Sequence, residues 1–235
     1  SSYKDDAGIL KLATRKGKKV SAVYLPNPTA KFTLLVSHGN AEDLGNDGFW
    51  LEDLRRAGFN VLAYDYEGYG TSEGKPGEKA AYDDEDAAYE YLTSTLHTEP
   101  DHLIIFGKSV GSGPAVHLAA RRQIAALILQ SPFLSAFRVL TRVPLLPFDK
   151  FPNYRDIRAV HCPVLIVHGD SDTVIPPWHG RKLFERANEP RKFVSVPGAD
   201  HNDLEMVAGK TYTATLQEFA TFVSEHQTDR AAHVP

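Results

Sequence analysis

Leu103-Ile104-Ile105-Phe106-Gly107-Lys108-Ser109-Val110-Gly111-Ser112-Gly113-Pro114-Ala115 is the stretch whose reading decides the fold. The apolar run Leu103 to Phe106 is that of a strand buried on both faces, and Ala115, Leu118 and Ala119 give the packed face of a following helix. Between them stands the pattern Gly-x-Ser-x-Gly, from Gly107 to Gly111. A strand that turns directly into a helix crowds its own backbone, and glycine on either side supplies the room. The serine is then held with its hydroxyl above the strand end. Ser109 is therefore the candidate nucleophile.

Working outward, 235 residues with 42% hydrophobic content suffice for one sizeable core, and a single α/β domain over 1–235 is expected. Lys and Arg number 26 against 30 Asp and Glu, a net charge of -4, which carries no basic footprint for nucleic acid. The basic cluster Arg15-Lys16-Gly17-Lys18-Lys19 reads as a solvated hairpin turn. Cys162 stands alone, so neither an intrachain disulfide framework nor a cysteine-built zinc site is available. That lone cysteine fits a reducing compartment, and a cytoplasmic location is the expectation. The sequence holds no transmembrane-length apolar run. It opens on Ser1 without an initiating Met, which leaves room for a removed upstream segment.

Strand and helix signals alternate along the chain. Ile9 to Thr14 and Val20 to Tyr24 read as an antiparallel hairpin at a sheet edge. Phe32 to Ser37 is a buried strand running into His38-Gly39-Asn40-Ala41; a helix over Asn46 to Ala57 and a strand over Asn60 to Tyr64 follow. A long helix from Glu78 to Leu96 is expected to carry Asp83, Asp84, Glu85 and Asp86 on a solvated outer face. Beyond the central motif come strands at Ala125 to Gln130, Pro163 to His168 and Lys192 to Val196, with a helix near His179 to Ala187. A closing helix spans Thr211 to Glu225, and Gln227 to Pro235 is expected to be a frayed tail. This rhythm predicts a mostly parallel twisted sheet of about eight strands covered by helices on both faces, with the chemistry at the carboxyl ends of the strands.

A serine nucleophile needs a base, and the base an orienting acid. His201 leaves the strand Lys192 to Val196 through Pro197-Gly198-Ala199-Asp200 and is the last histidine before the closing helix. The strand Val164 to His168 leads into Gly169-Asp170-Ser171-Asp172, which offers two carboxylates. Asp172 is preferred, because Asp170, immediately after Gly169, is placed to close the turn with its own side chain. The chain order Ser109, Asp172, His201 is that of one triad architecture and no other major one. An oxyanion hole is expected from the backbone N–H of Val110, at a helix N-terminus, and of Asn40, in the glycine-containing loop after the first buried strand.

Several blocks carry a resemblance: Leu34 to Gly45, Tyr64-Asp65-Tyr66-Glu67-Gly68-Tyr69-Gly70, Gly107 to Gly111, His168 to Asp172, and Gly198-Ala199-Asp200-His201-Asn202-Asp203. From about Val20 to Phe222 the chain resembles the α/β-hydrolase fold. It resembles most closely the hydrolase-domain subgroup that includes eukaryotic protein depalmitoylases and bacterial relatives. The resemblance implies Ser109 as nucleophile, Asp172 as acid and His201 as base. Members acting on lipidated proteins carry a cysteine-rich N-terminal segment that this sequence does not show, so the expected substrate is a small ester or thioester. The expected reaction is acyl transfer to water without metal or organic cofactor. A serine peptidase of the prolyl oligopeptidase kind and a non-catalytic binding scaffold are the alternatives.

The segment Ser131 to Arg158 occupies the place of a cap. Its apolar residues, broken by Pro144, Pro147 and Pro152, are expected to form short turns beside Ser109, with Phe133, Leu134 and Phe137 binding a short to medium acyl chain.

Overall fold

A computed structural model describes residues 1–6, 8–136 and 150–232, with side chains through 228. Among them, eight strands form one sheet: β1 (Leu10–Ala13), β2 (Lys19–Leu25), β3 (Thr33–Ser37), β4 (Asn60–Tyr64), β5 (Leu103–Lys108), β6 (Ala126–Gln130), β7 (Val164–Gly169) and β8 (Arg191–Val196). Their spatial order is β1-β2-β4-β3-β5-β6-β7-β8. β2 pairs antiparallel with both β1 and β4, and every pairing from β4 through β3 to β8 is parallel. The order turns back on itself at β3, between β4 and β5, and such switch points leave a crevice at the strand carboxyl ends.

The central strands are buried on both faces, and successive residues feed two cores. Leu35, Leu62, Ile105, Leu127 and Ile166 point toward α2 (Glu78–Glu90), α3 (Ser112–Ala119) and α5 (Trp178–Arg186), meeting Ala88, Val116 and Leu183. Leu34, Val61, Ile104, Ile128 and Leu165 point the other way. They meet Leu51 and Leu54 of α1 (Gly48–Arg56), Leu204 of α6 (Leu204–Ala208), and Leu216, Phe219 and Val223 of α7 (Lys210–Ala232). A further short helix, α4 (Asn153–Asp156), packs against α3. Two-sided burial explains why these strands read as unbroken apolar runs rather than as alternating ones. Each such side chain contributes roughly 1.5–3 kcal/mol on burial.

Two expectations about helices are corrected. The last helix does not stop at Glu225: it runs unbroken from Lys210 to Ala232, so Gln227 to Ala232 continue it rather than fray, and Gln227 Nε2 donates to the Asp101 carbonyl. The acidic run on α2 is not a solvated face either. Asp84, Glu85 and Asp86 are buried, because α2 is held on the sheet under a polar loop and each carboxyl meets a different neighbour. Asp84 Oδ2 accepts the Glu67 amide at 2.8 Å. Glu85 Oε1 accepts the Ser37 hydroxyl at 3.0 Å. Asp86 faces the guanidinium groups of Arg15, Arg121 and Arg122. The basic hairpin turn is likewise engaged, since Lys16 Nζ lies 2.6 Å from Asp83.

Burial pushes the Glu85 carboxyl well above the usual carboxylate range and the Asp84 carboxyl up to about 7, the latter only partly offset by the Glu67 amide. A carboxyl whose folded pKa is raised costs stability as pH climbs from its unfolded toward its folded value, because the unfolded chain releases the proton first. Asp84→Asn is therefore expected to leave Tm close to wild type at pH 4. At pH 8 it should raise Tm, with the gain developing between about pH 4 and about pH 7. Thermal unfolding at both pH values checks this.

Candidate active site

The turn after β5 realises the Gly-x-Ser-x-Gly pattern. Ser109 holds φ +51°, a left-handed conformation that side-chain-bearing residues rarely adopt. A Cβ on Gly111 would lie 2.0 Å from the Ser37 carbonyl oxygen, and one on Gly107 would lie 2.6 Å from the Gly111 carbonyl oxygen. Both glycines are thus required by backbone passing backbone. Ser112 Oγ donates to the Ser109 carbonyl at 2.7 Å and closes the turn.

The structure brings Ser109, His201 and Asp172 into one line. Ser109 Oγ is 2.9 Å from His201 Nε2, and His201 Nδ1 is 2.8 Å from Asp172 Oδ2. An ionised carboxylate only accepts, so Nδ1 carries the proton and Nε2 is left to accept from the serine hydroxyl. Asp172 Oδ1 takes the amides of Val174 and Ile175 at 3.0 and 2.7 Å. Burial acts to raise its pKa, but hydrogen bonds from His168, His201 and the Ile175 amide together hold it well below the usual carboxylate range. Asp170, the other carboxylate, is exposed and engaged elsewhere. It accepts the Gly198 amide at 2.7 Å and so ties the β7 turn to the loop that delivers His201. Asp200 does similar work from the opposite side, accepting the Thr173 and His201 amides at 2.7 Å each.

The loop after β3 lies beside this turn because Ser37 pairs with Gly107 in the sheet. Asn40 is exposed there, with its side-chain oxygen accepting the Tyr69 hydroxyl at 2.6 Å, and Ala41 follows in a left-handed conformation at φ +63°. The loop is anchored from behind. His38 is buried, with Nδ1 at 2.8 Å from the Gly39 carbonyl and Nε2 at 3.0 Å from Asp65 Oδ1. Burial opposes its charge, yet Asp65 and the Gly39 carbonyl outweigh it and raise its pKa. Tyr66 donates to the His38 carbonyl at 2.7 Å.

The residues expected to bind an acyl chain are Phe133, Leu134 and Phe137. Phe133 and Leu134 are buried in the core, held there because their backbone anchors α4 and α5. Asn153 Nδ2 donates to the Phe133 carbonyl at 3.0 Å and the Leu134 amide to His179 Nδ1 at 3.2 Å. Phe137 and most of the cap segment lie outside the described residues. A cavity of about 260 Å³ does adjoin the site, on the side of α2. Tyr66, Tyr69, Ala81, Val110, Pro114 and Phe151 form its apolar wall, and Phe133 stands behind Phe151, ring centres 6.3 Å apart.

The sequence reading also left unassigned two groups that touch the site from behind. His168, fully buried, places Nε2 at 2.8 Å from the Ile175 carbonyl and 3.4 Å from Asp172 Oδ2. Lys108, the residue preceding Ser109, places Nζ 2.8 Å from Glu42 Oε1. His38, Glu42 and Asp47 have ligand atoms within 4.8 Å of one another, but the His38 nitrogens and both Glu42 oxygens are already engaged, with Lys108 as the cation. Cys162, its thiol pushed up to about 12 by burial, is no rival nucleophile.

A strained serine at the mouth of a parallel sheet, with histidine and carboxylate delivered by later strands, is the architecture of a hydrolase. Comparison with known proteins agrees. Residues 28–147 match the family model described as serine aminopeptidase, S33. The chain is 42% identical over 229 residues, 96% of its length and 78% of the relative's, to alpha/beta hydrolase domain-containing protein 17B of Homo sapiens. Its identity to the protein of that name in Xenopus tropicalis is 42% over 225 residues, 94% of this chain and 77% of the relative. A Pyrococcus furiosus esterase superposes with a TM-score of 0.76 over 91% of both chains at 19% identity. A monoacylglycerol lipase of Paleococcus ferrophilus gives 0.67 over 87% of this chain and 98% of that one at 22% identity. The chain belongs to the α/β-hydrolase family.

The two carboxylates should separate by function. Asp172→Asn removes the acceptor that fixes the histidine tautomer and is expected to lower kcat for hydrolysis by on the order of 10⁴. Asp170→Asn loosens a loop and should act on Tm first. Steady-state kinetics and thermal melts of the two purified variants make the comparison.

Proposed function

We propose that the protein is a serine hydrolase that cleaves carboxylic esters or thioesters through an acyl-enzyme on Ser109. The observation that carries this reading is the hydrogen-bonded line from Ser109 Oγ through His201 to Asp172, set on a left-handed turn. Ser109 Oγ attacks the carbonyl carbon while His201 Nε2 takes its proton. Collapse of the tetrahedral species expels the alcohol or thiol, which leaves with that proton. Water, deprotonated in turn by His201, then attacks the acyl-enzyme, and the carboxylic acid departs as Ser109 regains its proton. Asp172 holds the imidazole in the required tautomer. The amides of Asn40 and Val110 are assigned to the oxyanion, where preorganised donors each supply about 2.7–4 kcal/mol of barrier lowering. The scheme calls on no metal or organic cofactor.

The acyl group is assigned to the cavity beside Val110. At about 260 Å³ it falls just below the roughly 300–1,000 Å³ of pockets for drug-sized ligands. It exceeds the roughly 150 Å³ that admits benzene. A short to medium chain is the corresponding substrate. Among the described residues no helix is long and apolar enough to cross a membrane.

A second reading, peptide hydrolysis, is favoured by the description of the matching family model, a serine aminopeptidase. The chemistry differs only in that His201 must protonate a departing amine. A panel of p-nitrophenyl esters, acyl thioesters and aminoacyl anilides separates the two.

For esters, each buried methylene contributes about 0.8 kcal/mol. Values of kcat/KM from acetate upward should therefore rise roughly fourfold per added CH₂ and then stop at a medium chain. A profile that is flat, or still climbing at palmitate, contradicts the cavity assignment. Ala81→Phe, which fills the cavity wall, should move the optimum toward acetate while leaving acetate hydrolysis within about twofold.

A further inference from the structure

Lys108 occupies the variable position of the Gly-x-Ser-x-Gly turn and, by that pattern, has no assigned role. Its surroundings give it one. The ammonium is largely buried, its side chain 14% exposed, and lies 5.0 Å from the centre of the Trp50 ring. It meets Glu42 Oε1 at 2.8 Å and Glu205 Oε1 at 3.4 Å. Burial opposes its charge, but Glu205 and Glu42 outweigh burial and keep it protonated.

The partners come from different parts of the site. Glu42 belongs to the loop after β3, and its other oxygen, Oε2, accepts the Gly39 amide at 2.7 Å, one residue before the proposed oxyanion donor Asn40. A Cβ on Gly39 would fall 2.7 Å from that same oxygen, so in this arrangement a larger residue there would displace the Glu42 carboxylate. Glu205 lies in α6, four residues after His201. It also accepts Gln130 Nε2 at 2.8 Å; Gln130, at the end of β6, accepts the Tyr212 hydroxyl at 2.7 Å. One ammonium thus joins the serine turn, the oxyanion loop and the helix that follows the histidine.

We propose that Lys108 is a positioning residue which, through Glu42 and Glu205, clamps the oxyanion loop and the His201 segment onto the serine turn. This rests on the serine-hydrolase reading above. Lys108 touches no reacting atom; it fixes the distance between the Gly39-Asn40 loop and Ser109, on which transition-state binding depends more than substrate binding. A partly buried ion pair with hydrogen bonds on both partners has that geometric capacity whatever its net contribution to stability.

The experiment is a kinetic cycle on the full chain with p-nitrophenyl butyrate, including Lys108→Met, Lys108→Arg, Glu42→Gln and the Lys108→Met/Glu42→Gln double variant. Ser109→Ala is run alongside. Lys108→Met is expected to lower kcat by roughly 10- to 100-fold with KM changed less than about twofold. The inhibition constant of butylboronic acid, whose serine adduct places an oxygen in the oxyanion hole, should rise in parallel. Lys108→Arg, which keeps the charge, should recover most of the loss. The double variant should fall no further than Lys108→Met alone, the mark of two residues acting as one unit.

A folded Lys108→Met with kcat within about threefold of wild type overturns the proposal, as do losses that multiply in the double variant. Should Lys108→Met not fold, Glu42→Gln decides. It still offers an oxygen to the Gly39 amide but not a charge, and wild-type kcat and boronate affinity in that variant overturn the clamp. Hydrolysis that persists in Ser109→Ala defeats the serine reading itself. Serine-dependent hydrolysis indifferent to Lys108 defeats only the clamp.

Discussion

Everything at the site depends on how closely two backbones pass at the end of β5. The Gly111 Cα lies so near the Ser37 carbonyl that a methyl group would collide with it, and in the same turn the Ser109 backbone is left-handed. That strain, of order 1–3 kcal/mol, persists only where surrounding structure holds it. Here the holding structure is the central sheet, buried on both faces, with β3 and β6 paired to either side of β5. The close passage also puts the loop proposed to bind the oxyanion next to Ser109, the proposed nucleophile, so a single steric constraint would serve two parts of the proposed chemistry.

The remaining parts arrive as turns that follow β7 and β8, and hydrogen bonds fix each of them beside the packing of Ile175 and Ala199 into the two cores. Asp172 is locked by two amides and approached by two histidines. Asp170 and Asp200 cross-link the two loops through backbone amides on opposite sides. Carboxylates accepting amides in this way are charge-assisted and directional, which suits loops that must hold a histidine to within a fraction of an ångström of a serine. The division of labour between core and site follows: apolar strands set the frame, and acidic loop residues set the angles.

Much of this was legible in the sequence because the signals are local. Unbroken apolar strands, glycines at fixed offsets and the order of serine, aspartate and histidine each declare themselves within a few residues. What escaped was non-local. Asp84, Glu85 and Asp86 read as a solvated run because adjacency on a helix suggests nothing about what faces each carboxyl; their partners, Glu67, Ser37 and Arg121, lie many residues away. Lys108 carries no signal within the Gly-x-Ser-x-Gly pattern, since its surroundings are supplied by the distant Glu42 and Glu205. Apolarity and position alone do not distinguish the lining of a cavity from the layer behind it: Phe133 and Leu134 are buried, and the cavity beside Val110 is lined by Tyr66, Tyr69 and Phe151. The C-terminal helix ran past its expected end because polar residues still extend a helix once its apolar face is seated on the sheet.

The central claim is that Ser109 is the group that becomes acylated. Its most direct test is exposure of the intact protein to a fluorophosphonate, followed by whole-protein mass measurement and peptide mapping, with and without a competing short-chain ester. The account predicts a single adduct per chain, on Ser109, slowed by the ester and absent from His201→Ala under the same conditions. An adduct on another serine, or ester hydrolysis that continues after Ser109 is fully modified, would contradict it.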